Sequence, residues 1–461
     1  GVRLVGSEMC IRDSTYTVFN NCSVQHFIEP LYLPSYSRMD SIYPLLRECL
    51  RGTTPPLVVL PANPVEAQRL HHHFVGKPAP GSALIMTTSG TTGTPKGARL
   101  SAATLRASID STHTALGGPG RWLLAVPAHH IIGMQVLLRS LHTGYPPVTM
   151  PIDDGFQLAA LPDAITELLE GHHTQPQPQS QPQTQSQSQP QRRHYASLVP
   201  NQLDTLYQDL HSSRPDTRRT AEKALHACAQ LDAILSGGAP LPQHIDDYLT
   251  AAGLTIVRGY GSSEVAGGVL FDGRPGPATQ IRVDPTTHRI SISGDTLADG
   301  YVGMDTHPDW TVESSGDNCE SDDQSNSRRW YHTHDLGHWT ADGRLIIDGR
   351  LDEAINSGGI MVIPQPLEKL LLTHPQVKDC AIIGLPHPHF GHRVTAVIVP
   401  EDGATPPTLD EICGVLESTF DYYSLPKDLI ILPHLPHRSN GKLNRQLLVS
   451  LAQQKHSSHP R

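Results

Sequence analysis

Short apolar runs that lead into glycine-rich loops recur along this chain and predict an α/β sheet. Residues 83–86 are apolar and precede the Thr/Gly loop 87–97, and the runs at 231–235 and 254–257 each lead into a further glycine loop. Such a run before a small-residue loop is typical of a buried strand. Ligands of open α/β sheets bind beyond the carboxyl ends of the strands, so these loops are candidate ligand sites.

Helical spacing alternates with these strands. It predicts helices at 44–50, 64–74 and 134–141, and the spacing of Leu100, Leu105 and Ile109 predicts a helix directly after the Thr/Gly loop. Alternation over 281–292 predicts antiparallel strands. Two helices and three strands between 366 and 432 predict a small α+β unit. The expected fold is therefore a large N-terminal α/β domain of layered sheets and helices, followed by a small C-terminal α+β domain.

Three segments are set apart from this pattern. Residues 174–191 are Gln/Pro/Ser-rich without an apolar residue, and residues 309–326 are acidic and Ser-rich, so both are expected to be disordered insertions. Residues 1–14 show no clear period and do not begin with Met, and we expect them to be a non-native segment.

Composition narrows the class of protein. The 461 residues carry a formal charge of −10, which disfavours a nucleic-acid or membrane-surface partner. Seven scattered cysteines without a Cys-x-x-Cys pair predict reduced thiols. No apolar run approaches the ~20 residues of a membrane helix and no signal sequence is seen, so we expect a cytoplasmic protein. A homo-oligomer is left open.

The Thr/Gly loop is the strongest candidate for anion binding. Its glycines allow a ligand to approach the backbone, its hydroxyls and N–H groups can donate to phosphate oxygens, and a lysine adds a positive charge. Pro95 stands where a Walker loop has its second glycine, which disfavours a kinase or GTPase of that type. A flexible loop is the alternative if the loop is considered alone. The candidate phosphate-binding residues are Thr88, Ser89, Gly90, Thr91, Thr92, Gly93 and Lys96.

Further segments follow this loop in an order that resembles a known family. They are Ser236-Gly237-Gly238-Ala239-Pro240, Tyr260-Gly261-Ser262-Ser263-Glu264, residues 331–337, Gly349-Arg350-Leu351-Asp352 and residues 436–445. With the loop, they resemble the adenylate-forming superfamily of acyl-CoA synthetases, luciferases and peptide-synthetase adenylation domains. The resemblance implies an AMP-binding domain over 15–351, a mobile lid domain over 352–461, and the use of ATP, Mg²⁺ and CoA.

The resemblance also implies roles in nucleotide binding. Tyr260 would stack on adenine, Asp335 would bind the ribose hydroxyls with help from Arg350, and Glu264 would help to hold Mg²⁺. The superfamily usually has glycine where this chain has His334, which puts ribose geometry in question. The remaining implied contacts to nucleotide or acid are Ser236, Gly237, Gly238, Gly261 and Ser263.

Catalytic roles are implied on the same basis. Lys442, in a Gly-Lys-x-x-Arg frame, would place its ammonium between the acid carboxylate and the α-phosphate, where it offsets repulsion between two anions. Asp352 would be the interdomain hinge, and Ser357-Gly358-Gly359 the loop that moves in for the CoA step. His130, in a Pro-x-x-His-x-x-Gly element, would gate the acyl pocket.

Three features resemble the o-succinylbenzoate:CoA ligases within the superfamily. The phosphate loop comes early, residues 197–203 read Ser-Leu-Val-Pro-Asn-Gln-Leu, and no carrier domain follows Arg445. The implied activity is AMP-forming activation of o-succinylbenzoate for menaquinone synthesis, and Arg139 is our hypothesis for the residue that holds its aromatic carboxylate. A solvated helix face is the alternative at Arg139. An acid:CoA ligase for another acid shares every motif, whereas a non-catalytic adenylate-binding protein is expected to lack Lys442 or Glu264.

Overall fold

The computed structural model describes residues 26–88, 95–170, 193–304, 306–314, 327–437 and 443–457. In these ranges the chain forms four β-sheets and eleven α-helices, which confirms the expected α/β class. The segments 1–14 and 174–191, predicted to be non-native and disordered respectively, lie outside the described residues.

The first sheet carries the Thr/Gly loop. Its strands lie in the order β1-β2-β3-β4, with β1 to β3 parallel and β4 antiparallel to β3. Three helices accompany it. The elements are β1 (Glu29–Tyr32), β2 (Leu57–Leu60), β3 (Leu84–Thr88), β4 (Lys96–Leu100), α1 (Tyr43–Arg51), α2 (Pro64–Phe74) and α3 (Ala102–Ala115).

The expectation that a helix directly follows the Thr/Gly loop is wrong. The chain first returns as β4, and α3 begins only after Ser101, whose hydroxyl accepts a hydrogen bond from Thr104 N–H at 3.1 Å. Gly97 makes this return close-packed, because a β-carbon there would lie 2.7 Å from Phe74 and 2.8 Å from Ile85. The loop is therefore the connection of a β-hairpin.

The second sheet has seven strands in the order β11-β10-β9-β8-β7-β5-β6. Strands β5 to β9 are parallel, and β10 returns antiparallel to β9. The elements are β5 (Gly120–Leu124), β6 (Val148–Thr149), β7 (Arg193–Leu198), β8 (Ala233–Gly237), β9 (Ile256–Ser262), β10 (Gly267–Phe271), β11 (Arg274–Pro275), α4 (Ile131–His142), α5 (Leu161–Glu170), α6 (Pro200–Leu210), α7 (Pro215–Cys228) and α8 (Gln243–Ala251).

Helix α4 is buried along most of its length. Met134, Val136, Leu137 and Leu138 have no exposed surface, and they pack in one core with residues of β5 and α3. A helix with so many buried apolar residues is expected to be enclosed by other elements. The polar residues Gln135, Arg139 and Ser140 are enclosed in the same way, whereas His142 at the end of α4 is exposed.

The third sheet is antiparallel, as the alternation over 281–292 predicts. Its strands are β12 (Thr279–Val283), β13 (Arg289–Gly294), β14 (Trp310–Ser314), β15 (Ser327–Trp339) and β16 (Leu345–Arg350). The prediction of a disordered insertion from residue 309 is wrong for its first residues. They form β14, in which Trp310 pairs with Tyr331 and Val312 with Arg329. The remainder, 315–326, lies outside the described residues.

The sheets change after residue 350. β16 pairs with β15, whereas the next strand belongs to a fourth sheet in the order β18-β17-β20-β19, with β21 beside β20. Its elements are β17 (Ile355–Ser357), β18 (Ile360–Val362), β19 (Val377–His387), β20 (Gly391–Pro400), β21 (Asp428–Ile431), α9 (Pro364–Leu371), α10 (Leu409–Glu417) and α11 (Arg445–Ser457). This is the predicted α+β unit. No helix within the described ranges has both the length and the apolar composition needed to cross a bilayer.

Candidate active site

The phosphate side of the candidate site is built on the β3–β4 hairpin. Thr88 pairs with Lys96 across the two strands, so both residues stand at the same end of the sheet. The Lys96 ammonium lies 3.1 Å from His307 Nε2 and 5.1 Å from the centre of the Tyr301 ring. The predicted phosphate ligands between them, Ser89, Gly90, Thr91, Thr92 and Gly93, lie outside the described residues.

The Ser-Gly-Gly stretch ends β8 beside the Tyr260 strand. In register, Ser236 stands beside Arg258 and Gly237 beside Gly259. A β-carbon on Gly237 would lie 2.8 Å from the Gly259 carbonyl oxygen, so this close approach requires glycine. The Ser236 hydroxyl is buried, and it has no hydrogen-bond partner among the described residues. Gly238 has a φ of +90°, which turns the chain out of the sheet.

Glu264 lies in a single helical turn that directly follows β9. Its carboxylate is buried, and Oε1 accepts a hydrogen bond from the Tyr301 hydroxyl at 3.0 Å. Burial raises the pKa of Tyr301, and the negative charge of Glu264 raises it further, so the hydroxyl stays a donor. Ser263, the predicted α-phosphate contact, precedes Glu264 in the same turn.

Glu264 fits the predicted role in holding Mg²⁺. Mg²⁺ prefers oxygen ligands and is usually bound by one or two carboxylates together with substrate phosphates. Among the residues that the structure describes, no group of three or more His, Cys, Asp or Glu could hold a metal ion. Glu264 suits this pattern as a single carboxylate ligand, with water and nucleotide phosphates as the other oxygen ligands.

The predicted ribose-binding residues, Asp335 and Arg350, lie on β15 and β16, and Tyr260, predicted to stack on adenine, meets them from β9. Asp335 pairs with Arg350 across the strands, and Arg350 Nη1 donates to Asp335 Oδ1 at 2.8 Å. The Tyr260 hydroxyl donates to Asp335 Oδ2. Burial raises the pKa of Tyr260 well above its ordinary value, and the Asp335 carboxylate adds to the shift. Arg350 also donates to both oxygens of Asp352, at 2.9 Å each.

His334, where the superfamily has glycine, leaves these contacts intact. Its Nε2 lies 3.3 Å from Asp309 Oδ1, a carboxylate oxygen of a residue next to β14. The Asp335 backbone N–H donates to the Thr333 hydroxyl at 3.0 Å. The histidine therefore links the ribose strand to a neighbouring segment, while Asp335 keeps Tyr260 and Arg350 as partners.

The predicted CoA-step loop is the turn of the β17–β18 hairpin. Ser357 ends β17, and Gly358 and Gly359 have φ values of +62° and +88°, a conformation that favours glycine. Gly358 N–H donates to the Phe390 carbonyl at 2.9 Å. The turn therefore rests on the β19–β20 connection of the C-terminal domain.

The predicted catalytic lysine, Lys442, lies outside the described residues. The arginine of its sequence frame, Arg445, begins α11 and is well anchored. Its guanidinium donates to Glu353 at 2.7 Å, to both oxygens of Glu368 at 2.9 Å, and to the Ile382 carbonyl at 3.0 Å.

His130 stands at the start of α4, on the acyl side of the predicted site. It is the N-cap residue of the helix, and its ring lies 4.1 Å from that of His129. A β-carbon on Gly133 would lie 2.3 Å from the Pro127 carbonyl oxygen. The Pro-x-x-His-x-x-Gly element is thus a tight entry into α4 that requires its final glycine.

Arg139 is enclosed in the protein rather than on a solvated helix face, so that alternative is wrong. Its side chain is 2% exposed, and the guanidinium carbon lies 5.0 Å from the centre of the Trp122 ring. Nε and Nη1 have no hydrogen-bond partner within the described part of the chain. Burial lowers the pKa of Arg139 to about 9, which still leaves a cation at neutral pH. A desolvated cation of this kind favours an anionic ligand.

The surroundings of Arg139 connect it to the nucleotide side. A β-carbon on Gly267, three residues after Glu264, would lie 3.8 Å from Arg139 Nη2. Gln135, one turn before Arg139, donates to the Ala266 carbonyl at 2.6 Å, and its Oε1 has no partner among the described residues. Buried donors and an acceptor therefore lie between α4 and the start of β10.

Three residues of this site were not predicted from the sequence. Gln135 could have been found, because it precedes Arg139 by four residues and side chains at that spacing share a helix face. Tyr301 and His307 lie in a stretch without a periodic pattern. Tertiary folding brings them to Lys96 and Glu264, through an isolated bridge between Ala98 and Tyr301.

Comparison with known proteins identifies the family of this chain. The profile of the AMP-binding enzyme family matches residues 58–292, and that of the AMP-binding enzyme C-terminal domain matches residues 366–442. A probable 2-succinylbenzoate–CoA ligase of Mycobacterium tuberculosis is 39% identical over 427 residues, which cover 91% of this chain and 97% of the relative. The chain belongs to the AMP-binding enzyme family.

A more distant relative and a solved structure are also similar to this chain. A feruloyl-CoA synthase of Amycolatopsis is 29% identical, with 78% of this chain and 68% of the relative covered. The structure of o-succinylbenzoate CoA synthetase from Bacillus subtilis, in complex with its acyl-adenylate intermediate, superposes with a TM-score of 0.60 at 20% identity, covering 88% of this chain and 80% of that one. This likeness shows that the two proteins share a fold.

Proposed function

We propose that the protein is an AMP-forming acid:CoA ligase, that its acid is 2-succinylbenzoate, and that it serves menaquinone biosynthesis. The relative of this name aligns over nearly its full length. The choice of acid is supported by the buried guanidinium of Arg139. Its Nε and Nη1 have no hydrogen-bond partner among the residues that the structure describes. A dicarboxylic acid keeps one carboxylate free when the other is activated, and Arg139 suits that free carboxylate.

The nucleotide would lie across the ends of β3, β8 and β9. In this proposal Asp335 accepts the ribose hydroxyls while Arg350 and Tyr260 hold its carboxylate in place. Thr88, Lys96 and the Thr/Gly loop bind the phosphates. Gly238, Gly261 and Ser263 line the adenosine and α-phosphate side.

Glu264 would hold Mg²⁺, oriented by the Tyr301 hydroxyl. When bound, the ion would offset the negative charge of the phosphates and of the leaving pyrophosphate. The chain itself adds Lys96 to the same side of the site, so the positive charge there does not depend on the metal alone.

In the first half-reaction the acid carboxylate attacks the α-phosphorus of ATP, the bond to pyrophosphate breaks, and an acyl-adenylate forms. Lys442 stabilises the negative charge that develops at the α-phosphate as the acid carboxylate attacks it. His130 at the start of α4 gates the acyl pocket, whose inner end is Arg139. Ser236 and Gly237 flank the acid.

In the second half-reaction the CoA thiolate attacks the acyl carbon and AMP leaves. The C-terminal domain turns at Asp352, so that the hairpin turn Ser357-Gly358-Gly359 replaces Lys442 at the site. The proposal places the enzyme in the cytoplasm, where ATP and CoA are both available.

Pyrophosphate and AMP formation test this function. Purified protein with ATP and Mg²⁺ is assayed against 2-succinylbenzoate, ferulate, 4-chlorobenzoate and medium-chain acids, with Lys442→Ala as the inactive control. We expect release with 2-succinylbenzoate and a loss of at least about a hundred-fold in the control. Pyrophosphate release only with the monocarboxylic acids would support the ligase activity but reject 2-succinylbenzoate as the substrate. No release with any acid would reject the ligase activity itself.

A further inference from the structure

The ammonium of Lys96 is held by a neutral acceptor and an aromatic face. Its Nζ lies 3.1 Å from His307 Nε2, and it also lies over the Tyr301 ring. Burial lowers the pKa of His307, and the charge of Lys96 lowers it further. A neutral imidazole holds the lysine without cancelling its charge, whereas a carboxylate in the same position would compete with an incoming phosphate.

The proton of the His307 ring can be assigned from its partners. Asp309 backbone N–H lies 3.2 Å from Nδ1, which would require Nδ1 to accept, and Asp309 Oδ2 lies 3.4 Å from the same nitrogen, which would require it to donate. The two contacts disagree. Because an ammonium can only donate, Lys96 requires Nε2 to accept, so the neutral ring carries its proton on Nδ1, facing the carboxylate.

Asp309 joins His307 to the rest of the site. Its side chain is buried, with 7% exposed. Arg289 Nη2 donates to Oδ1 at 3.1 Å, and His334 Nε2 lies 3.3 Å from the same oxygen. His334 immediately precedes Asp335, the predicted ribose ligand. A continuous series of contacts therefore runs from Lys96 through His307, Asp309 and His334 to the ribose strand.

We propose that His307, supported by Asp309 and His334, is a positioning residue that presents the Lys96 ammonium to the β- and γ-phosphates of ATP. The inference rests on the proposed function, because it requires Lys96 to bind phosphate. The inference also assigns a role to His334, which stands where the superfamily usually has glycine. His307 acts through Lys96 and does not contact the acid, so it affects the triphosphate and not the acid substrate.

Direct nucleotide binding tests the proposal without reference to the acid. The affinities of Mg²⁺·ATP and of AMP are measured by calorimetry for the wild type and for His307→Ala, His307→Gln, His334→Gly and Lys96→Ala. His338→Ala is the matched control for His334→Gly, because both histidines lie on β15 beside a carboxylate. His338 pairs with Asp348 at 2.8 Å, at an exposed position away from Lys96.

We expect His307→Ala to weaken ATP binding about ten-fold, the usual scale for a lost hydrogen bond to a charged group, and to leave AMP binding within about two-fold. His307→Gln retains an acceptor and should restore most of the affinity. His334→Gly should have a smaller effect of the same kind, His338→Ala none, and His307→Ala should add nothing in a Lys96→Ala background.

Equal losses for ATP and AMP, additive losses with Lys96→Ala, or no loss at all would each overturn the positioning role. If the wild type binds ATP and His307→Ala binds it with the same affinity, this inference is rejected and the proposed function stands. A wild-type protein that fails to bind ATP would reject both.

Discussion

Arg139, which is buried, and Arg445, which is partly buried, face opposite electrostatic situations. Arg445 donates hydrogen bonds to the carboxylates of Glu353 and Glu368. Burial lowers the pKa of Arg445, but the two negative charges raise it by more, so the pKa lies above its ordinary value. Arg139 is more deeply buried, and burial alone lowers its pKa to about 9. The charge of Arg445 is neutralised within the fold, whereas Arg139 has no carboxylate partner among the described residues.

The difference separates a structural role from a binding role. Removing a partner from a buried ion pair leaves an isolated charge, which is costly, so Arg445 is expected to hold the start of α11 for stability. A buried cation without a counter-ion lowers stability in the free protein, and it is tolerated where a ligand supplies the anion. Substitution of each arginine tests this difference.

The largest change in stability is expected for Arg445→Met. It leaves Glu368, whose side chain is 14% exposed, without its cation, and should lower the free energy of unfolding by about 3–5 kcal/mol. Denaturant unfolding measures this loss. The exposed pair Arg69–Glu66 is the control, and Arg69→Met should stay within about 1 kcal/mol. A small loss at Arg445 would remove the contrast between the two arginines.

Arg139→Met should change stability in the opposite direction. The apolar side chain fills a similar volume without a desolvated charge, so the free energy of unfolding should rise by about 1–3 kcal/mol. Leu138→Met, on the same buried helix, is the control and should cost less than about 1.5 kcal/mol. A loss of several kcal/mol at Arg139 would mean that the protein itself supplies an anion there.

A pH-dependent effect concerns His113, which accepts a hydrogen bond from Trp122 Nε1 at 3.3 Å. Burial, followed by the charge of Arg139, lowers the pKa of His113 to about 3. Because this is below the unfolded value of about 6.5, the stability it contributes is complete above pH 6.5 and is lost as pH falls toward 3.

The unfolding free energy should accordingly fall with a slope of up to about 1.4 kcal/mol per pH unit between pH 6 and 4 from this residue. His113→Gln keeps the acceptor for Trp122 and should reduce the slope. Arg139→Met removes one of the causes of the low pKa, so its slope should level off at a higher pH. An unchanged slope in both variants would show that His113 is not desolvated beside Arg139.

The sequence predicted the elements with strong periodicity and the residues with motif spacing. The helix at 64–74 and the strand at 57–60 have the expected bounds. The structure brings Tyr260, Asp335 and Arg350 together, and their roles in nucleotide binding stay predictions. Strand β4 was missed because Gly97 and Ala98 give no strand signal alone, and their pairing with β3 decides their conformation. The burial of Arg139 also depends on tertiary packing, since the spacing of α4 does not show that other elements enclose it.

The central claim is that Arg139 binds the second carboxylate of the acid. The most direct test compares kcat/KM for 2-succinylbenzoate and for 4-oxo-4-phenylbutanoate, which lacks only the ring carboxylate, in the wild type and in Arg139→Met. We expect the wild type to prefer 2-succinylbenzoate by about a hundred-fold, the scale of a buried charge-assisted pair, and Arg139→Met to lose activity with 2-succinylbenzoate alone. A variant that retains the preference, or loses activity equally with both acids, would contradict the claim.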